Sequence, residues 1–366
     1  MTAIKLHKYP SSGGRTLGKI GTKKTATEAP YWGLHFRAER RSTISMQKMG
    51  DIQDVPPVSL ETSMDNGKTW APFIVGETVI TLAAGEVVCF RAGPGGTGGD
   101  GINKSMCASV NYSYAYNRFT MTGSISAFGD ISSILNQYTS VSKLTARLTF
   151  YCLFADCDAL NSAPDLPAVS LSERCYLAMF KGCTGITAAP QLPAKALAVE
   201  CYWSMFKSCS SMVSPPELPA TELKDGCYEE MFRYCSKLTA APDLPALTLK
   251  RLCYAAMFSG CTSLANAPDL PAKTPLGSCY SRMFEGCRSL ISATVGLTSV
   301  YGCSGMFRLC AQLNRISVKF TTWVVDATTN WLWGVAKKGE FACPVGLDTS
   351  IRDASHVPEG WTVRRI

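Results

Sequence analysis

Thiols are the most conspicuous reactive groups in this chain: 17 cysteines in 366 residues, against three histidines, His7, His35 and His356. Many fall in pairs eight residues apart: "CYLAMFKGC" from 175, "CYWSMFKSC" from 201, "CYEEMFRYC" from 227, "CYAAMFSGC" from 253 and "CYSRMFEGC" from 279. Paired thiols could hold a metal ion or cycle between dithiol and disulfide. On a helix, however, Cys201 and Cys209 stand about 12 Å apart along the axis, too far for a shared zinc or a disulfide. Between repeats, helices would pack about 8–10 Å apart, again beyond disulfide reach. The expected role is that of small, buried apolar residues. The odd total also forbids complete pairing within one chain, and so few histidines weigh against imidazole metal sites or general bases.

Two further motifs invite chemistry. "SMDNGKTW" (63–70) matches S-x-D-x-G-x-T-W, the Asp-box known from sialidases. That likeness implies a hairpin device in which Asp65 ties the turn, Gly67 permits it and Trp70 packs beneath. A sialidase would need several copies and an arginine-lined pocket, and one copy is present. "GPGGTG" (93–98) satisfies G-x-G-x-x-G, but no helix or βαβ context follows, so a loop is expected. No G-x-S-x-G, HExxH or Walker loop occurs. The expectation is a chain with no catalytic residue, no cofactor and no metal, and not an enzyme.

The elements that carry these residues repeat. The phenylalanines Phe154, Phe180, Phe206, Phe232, Phe258, Phe284 and Phe307 recur at intervals of 26, then 23, each followed three residues later by a cysteine. Between copies runs "APDLPA" or a close variant. A period in the twenties indicates a solenoid, because a unit of that size cannot bury its own apolar face. At 100° per residue the retained Cys, Tyr, Met, Phe and Cys fall within one 140° arc, so the first phrase is predicted to be a helix with a free outer face. The proline-containing phrase is predicted to be a very short strand. Alternating residues around DNG and AAGE turns predict a small antiparallel β unit before the repeats.

The unit "CYxxMFxGCxSLxxAPxLPAxxLxxx" resembles BspA-like leucine-rich repeats, found in Bacteroides surface proteins and in phages infecting those bacteria. The resemblance covers residues 150–313, and the flanks "SMDNGKTWAPF…LAAGEVVCFRA", "FTMTGSISAFGDISSIL" and "WLWGV…VPEGWTV" are similar to segments bracketing such repeats. The terminal copies "FYCLFADC" and "VYGCSGMFRLC" are irregular, as caps are. It implies an α+β fold: a leucine-rich-repeat solenoid of about 26-residue repeats, each helix plus short strand. The expected order is an extended basic arm (1–55), a small antiparallel β domain with the Asp-box hairpin (56–102) and a strand-rich cap (103–149). The repeats (150–313) and a Trp-rich C-terminal cap (314–366) follow.

The net charge of +8 resides in residues 1–48, where ten Lys/Arg face only Glu28 and Glu39. Such an arm is expected to anchor on an acidic surface through Lys19, Lys23, Lys24, Arg37, Arg40 and Arg41. Just after each MF pair stand Lys181, Lys207, Arg233, Ser259, Glu285 and Arg308, a partly basic column that, with Trp203, is the candidate ligand-binding stripe. No apolar run reaches the eighteen or so residues of a membrane span, so no membrane insertion is expected. The N-terminus lacks a signal-peptide h-region. With the resemblance, this points to a phage virion protein made in the host cytoplasm, such as a head fibre, decoration protein or tail fibre. Capsid or tail proteins would hold the arm, and the repeats would meet a host surface protein or glycan. A homo-oligomer, such as a trimer, is expected. The alternative is a bacterial cell-surface adhesin.

Overall fold

Each repeat makes one coil of a β-solenoid, and its Cys-to-Cys phrase is a run of turns rather than a helix. The computed structural model describes residues 32–50, 58–96, 98, 102–110, 113–324 and 326–366. In the coil that begins at Cys201, alternate amides bond in two directions. Trp203, Met205, Lys207 and Cys209 donate to the carbonyl three residues back, at 3.1–3.2 Å. Glu200, Tyr202, Ser204, Phe206 and Ser208 donate to Asp225, Cys227, Glu229, Met231 and Arg233 of the next coil, at 2.7–3.1 Å. The backbone is thus satisfied by a coil-to-coil ladder, as buried peptide groups require.

This bonding overturns the predicted helix. Every fourth residue is left-handed: Glu200 (φ 54°), Ser204 (φ 54°) and Ser208 (φ 65°), and likewise Arg174, Ala178 and Gly182 or Leu252, Ala256 and Gly260. An α-helix does not tolerate that sign. The repeat of four places Cys201, Tyr202, Met205, Phe206 and Cys209 inside, all at 0–1% exposure, and leaves Trp203 and Lys207 partly exposed. Over nine residues a period of four and one of 3.6 differ by only about 80°, so one apolar arc fits both.

Coils also stack closer than helices would. Phe rings from Phe154 to Phe307 form one ladder with centroids 5.4–5.9 Å apart. Tyr176 to Tyr280 form a second at 5.7–6.1 Å. Each buried ring contributes roughly 1.5–3 kcal/mol by burial and about 0.5–1.5 kcal/mol more through offset stacking.

The ladder starts in a β-sandwich. One sheet has the order β10-β9-β1-β6-β3-β4 and the other β5-β2-β8-β7. Its strands are β1 (Leu34–Ala38), β2 (Ser42–Gly50), β3 (Leu60–Ser63), β4 (Ala71–Phe73), β5 (Val79–Leu82), β6 (Val87–Ala92), β7 (Cys107–Val110), β8 (Ser113–Thr122), β9 (Ile125–Phe128) and β10 (Leu160–Ser162). A 3-10 turn, Ile131–Ile134, follows β9. Phe119 of β8 meets Phe36 (5.2 Å) and Phe90 (5.4 Å) of the other sheet and stacks on Phe154 (5.1 Å), the first ring of the ladder. One apolar core therefore runs from sandwich to solenoid.

Two predicted boundaries move accordingly. Residues 34–50 are not part of an extended arm: β1 and β2 are interior strands of the two sheets, with Leu34, Phe36, Ala38, Ile44 and Met46 fully buried. Nor does the chain divide at 102, because β8 pairs with β2 and β9 with β1. Residues 1–31, with Lys19, Lys23 and Lys24, lie outside the described residues. At the other end, 314–366 extends the stack. The strands β11 (Ser292–Val295), β12 (Arg315–Val318), β13 (Gly339–Cys343) and β14 (Trp361–Arg365) form one parallel sheet in that order. Three indoles fasten these coils: Trp323 donates to Asp348 O (2.7 Å), Trp331 to His356 O (3.1 Å) and Trp361 to Ala336 O (2.7 Å).

The Asp-box reading matches the hairpin between β3 and β4. Asp65 Oδ1 accepts from the amides of Lys68 (3.1 Å) and Thr69 (2.9 Å), and Oδ2 from the Thr69 hydroxyl (2.6 Å). Gly67 sits at φ 86°, its carbonyl accepts from the Trp70 indole (3.0 Å), and Arg91 covers that indole at 4.0 Å.

Candidate functional site

All 17 thiols are buried and none forms a disulfide. With the stacked rings of adjacent coils only 5.4–6.1 Å apart, packing distance cannot be what keeps the thiols separate. In the second column each S–H is used: Cys209 Sγ donates to Phe180 O of the preceding coil at 3.1 Å. Cys183, Cys235, Cys261 and Cys287 repeat this bond at 2.9–3.1 Å. Burial pushes the Cys157, Cys175, Cys235 and Cys310 thiols up to about 12, so the nucleophilic thiolate is scarce at neutral pH. Among the described residues no group of three or more His, Cys, Asp or Glu is placed to hold a metal.

On the outer turn face the predicted stripe is brought together but is largely neutralised. Lys207 Nζ lies 2.6 Å from Glu230 Oε2, and Arg233 bonds the same carboxylate. Arg308 Nη1 lies 2.6 Å from Glu285 Oε1, and its guanidinium stands 5.0 Å from the Trp333 ring centre. Arg233 likewise sits 4.8 Å from the Tyr234 ring centre. Lys181 is exposed and its side chain has no ion pair or hydrogen bond among the described residues. The Trp203 indole Nε1 is buried without a hydrogen-bond partner. Beside these, burial raises Glu229 to about 7, reinforced by Glu230 and Glu200. Burial also disfavours the Glu230 carboxylate, but hydrogen bonds and charge from Lys207 and Arg233 prevail and lower its pKa.

Arg37, Arg40 and Arg41 of the predicted arm cluster around the β1–β2 turn. Arg37 pairs with Glu39 (3.2 Å) and approaches the Phe128 ring (6.0 Å), Arg40 donates to Gly123 O (2.9 Å), and Arg41 is exposed.

A second polar surface escaped the sequence reading. The outward side of the β11–β14 sheet holds a shallow cleft of about 240 Å³, lined among others by Asn266, Asp269, Ser292, Thr294, Arg315 and Ser317. Its signal was a spacing: Ser292 and Arg315 are 23 apart, the same shortened interval that separates Phe284 from Phe307.

No protein-family model, curated protein or solved structure matches this chain. What the arrangement offers is therefore read from its own geometry. A buried interior of near-identical coils displays outward side chains that change from coil to coil.

Proposed function

We propose that the chain is a non-enzymatic structural and recognition protein of a phage particle. It would be a head fibre, decoration protein or tail fibre of a Bacteroides-infecting, crAss-like phage, with BspA-like repeats. Capsid or tail proteins hold the N-terminal arm, and the solenoid meets a host surface protein or glycan, in a homo-oligomeric assembly. The supporting observation is the constant, fully buried ladder of Cys, Tyr, Met and Phe beneath a variable outer face. Such a scaffold spends its sequence variation on contact with a partner. Lys181, Lys207, Arg233, Arg308 and Trp203 form one contact surface in this reading. Peptide mass spectrometry of purified phage particles tests it: the chain is expected as a stoichiometric component. Its absence from particles, or its recovery from an uninfected bacterial surface, overturns the virion reading.

A further inference from the structure

A cluster of polar groups without partners among the described residues lies on the β11–β14 sheet. Parallel register sets Asn266, Ser292, Arg315 and Glu340 in one transverse row, and Thr294, Ser317, Ala342 and Arg364 in the next. Alternation along each strand sends Ala293, Val295, Ile316, Val318, Phe341 and Cys343 inward, all at most 7% exposed, and Ser292, Thr294, Arg315, Ser317, Glu340 and Arg364 outward, with Ala342 buried between its neighbours. Ala342 is small enough to leave a floor between its neighbours, and the cleft lies there. Glu340 is already engaged by Arg364, Nε to Oε1 2.8 Å. The side chains of Arg315, Asn266, Ser292, Thr294, Ser317 and Asp269 make no hydrogen bond or ion pair among the described residues. This contrasts with Lys207, Arg233 and Arg308, each held by a glutamate.

We propose that this cleft binds a sugar bearing a carboxylate, a uronic acid unit, with the carboxylate on Arg315 and the ring hydroxyls on the surrounding hydroxyl, amide and Asp269 groups. A guanidinium fork matches a carboxylate bidentately, and Arg315, unlike Arg364, has no carboxylate bonded to it among the described residues. Serine and threonine hydroxyls, an asparagine amide and an aspartate can each exchange hydrogen bonds with sugar hydroxyls. The volume is below the range of drug-sized pockets, about 300–1,000 Å³, and suits a single ring rather than a large apolar ligand. Asp269 repels an acidic group, so it fixes the orientation: carboxylate toward Arg315, hydroxyls toward Asp269. This deepens the proposed recognition role and rests on that reading.

Isothermal titration of the full chain with an oligogalacturonate, its methyl-esterified counterpart and a sulfated oligosaccharide tests the site. Binding is expected for the free acid, with at least about tenfold loss on esterification and on Arg315→Ala, the scale of one charge-assisted hydrogen bond. Arg315→Lys should retain part of the affinity, and Thr294→Trp should block the cleft without altering its charge. An unchanged thermal transition shows that each variant folds. Equal binding of acid and ester, preference for the sulfated sugar, insensitivity to both Arg315→Ala and Thr294→Trp, or no binding at millimolar ligand overturns the site. If the chain is found in particles but binds no uronate, this site alone fails. If it binds through Arg315 but is absent from particles, the virion reading alone fails.

Discussion

Ala255 and Ala256 are adjacent and similarly buried, at 6% and 9% exposure, yet only Ala256 is left-handed, with φ 51°. Replacing either by glycine removes one buried methyl, worth about 0.8 kcal/mol. It also frees the unfolded chain by about 0.4–1 kcal/mol. Ala255→Gly should therefore destabilise by about 1–2 kcal/mol. Ala256→Gly bears the same two losses but relieves a left-handed strain of about 1–2 kcal/mol, so its net effect should lie near zero. The shared losses cancel in the difference, which isolates the backbone sign. Urea unfolding followed by tryptophan fluorescence, with midpoints compared at matched slopes, measures it. A helix carrying both alanines would lose about 1 kcal/mol at each position. Equal losses would refute the turn-built coil.

Three more outcomes follow from the described contacts. Native protein should resist iodoacetamide at all 17 cysteines at neutral pH and react after unfolding in guanidinium, as read by mass spectrometry; rapid native labelling of the 201 or 209 thiol would contradict their burial. Glu229 titrates at about 7 in the folded chain, against 4.5 ordinarily, so its proton is bound more tightly when folded. Stability should then fall as pH rises from about 4.5 through about 7, and Glu229→Gln should gain on the order of 1 kcal/mol at pH 8 but nothing at pH 4, the linkage value being discounted for partial exposure. Identical melting curves for the variant and parent at pH 8 would remove that effect. Asp65→Ala should lower the melting temperature by releasing the Lys68 and Thr69 amides, with Asp65→Asn intermediate; no change would mean that the hairpin closes without the carboxylate.

The sequence exposed what depends on side-chain identity and concealed what depends on backbone sign. Cys201, Tyr202, Met205, Phe206 and Cys209 are legible as an inward set because burial selects their types. Their conformation was not legible, because Ala178, Ser204, Glu230, Ala256 and Arg282 occupy left-handed positions that glycine usually marks. The glycines at 182, 260 and 286 were the available clue, since they continue the same spacing of four. In β1 and β2, Leu34, Phe36 and Ala38 and then Ile44 and Met46 do alternate, but the intervening Arg37, Arg40 and Arg41 gave the stretch the character of a basic arm. The Asp65 hairpin was read fully because its bonds lie within seven residues. The Arg315 cleft was not, because its rows come from register between coils, and the CY/MF wording stops before β12.

Far-UV circular dichroism of the full chain tests the turn-built solenoid most directly. Alternating turns with coil-to-coil hydrogen bonds predict a spectrum without the helical double minimum, since the described residues contain no α-helix and a single short 3-10 turn, Ile131–Ile134. Helix-plus-strand repeats would place about nine of every 26 residues in helix. A spectrum showing that helical fraction would contradict the fold and, with it, the placement of every outward-facing residue discussed above.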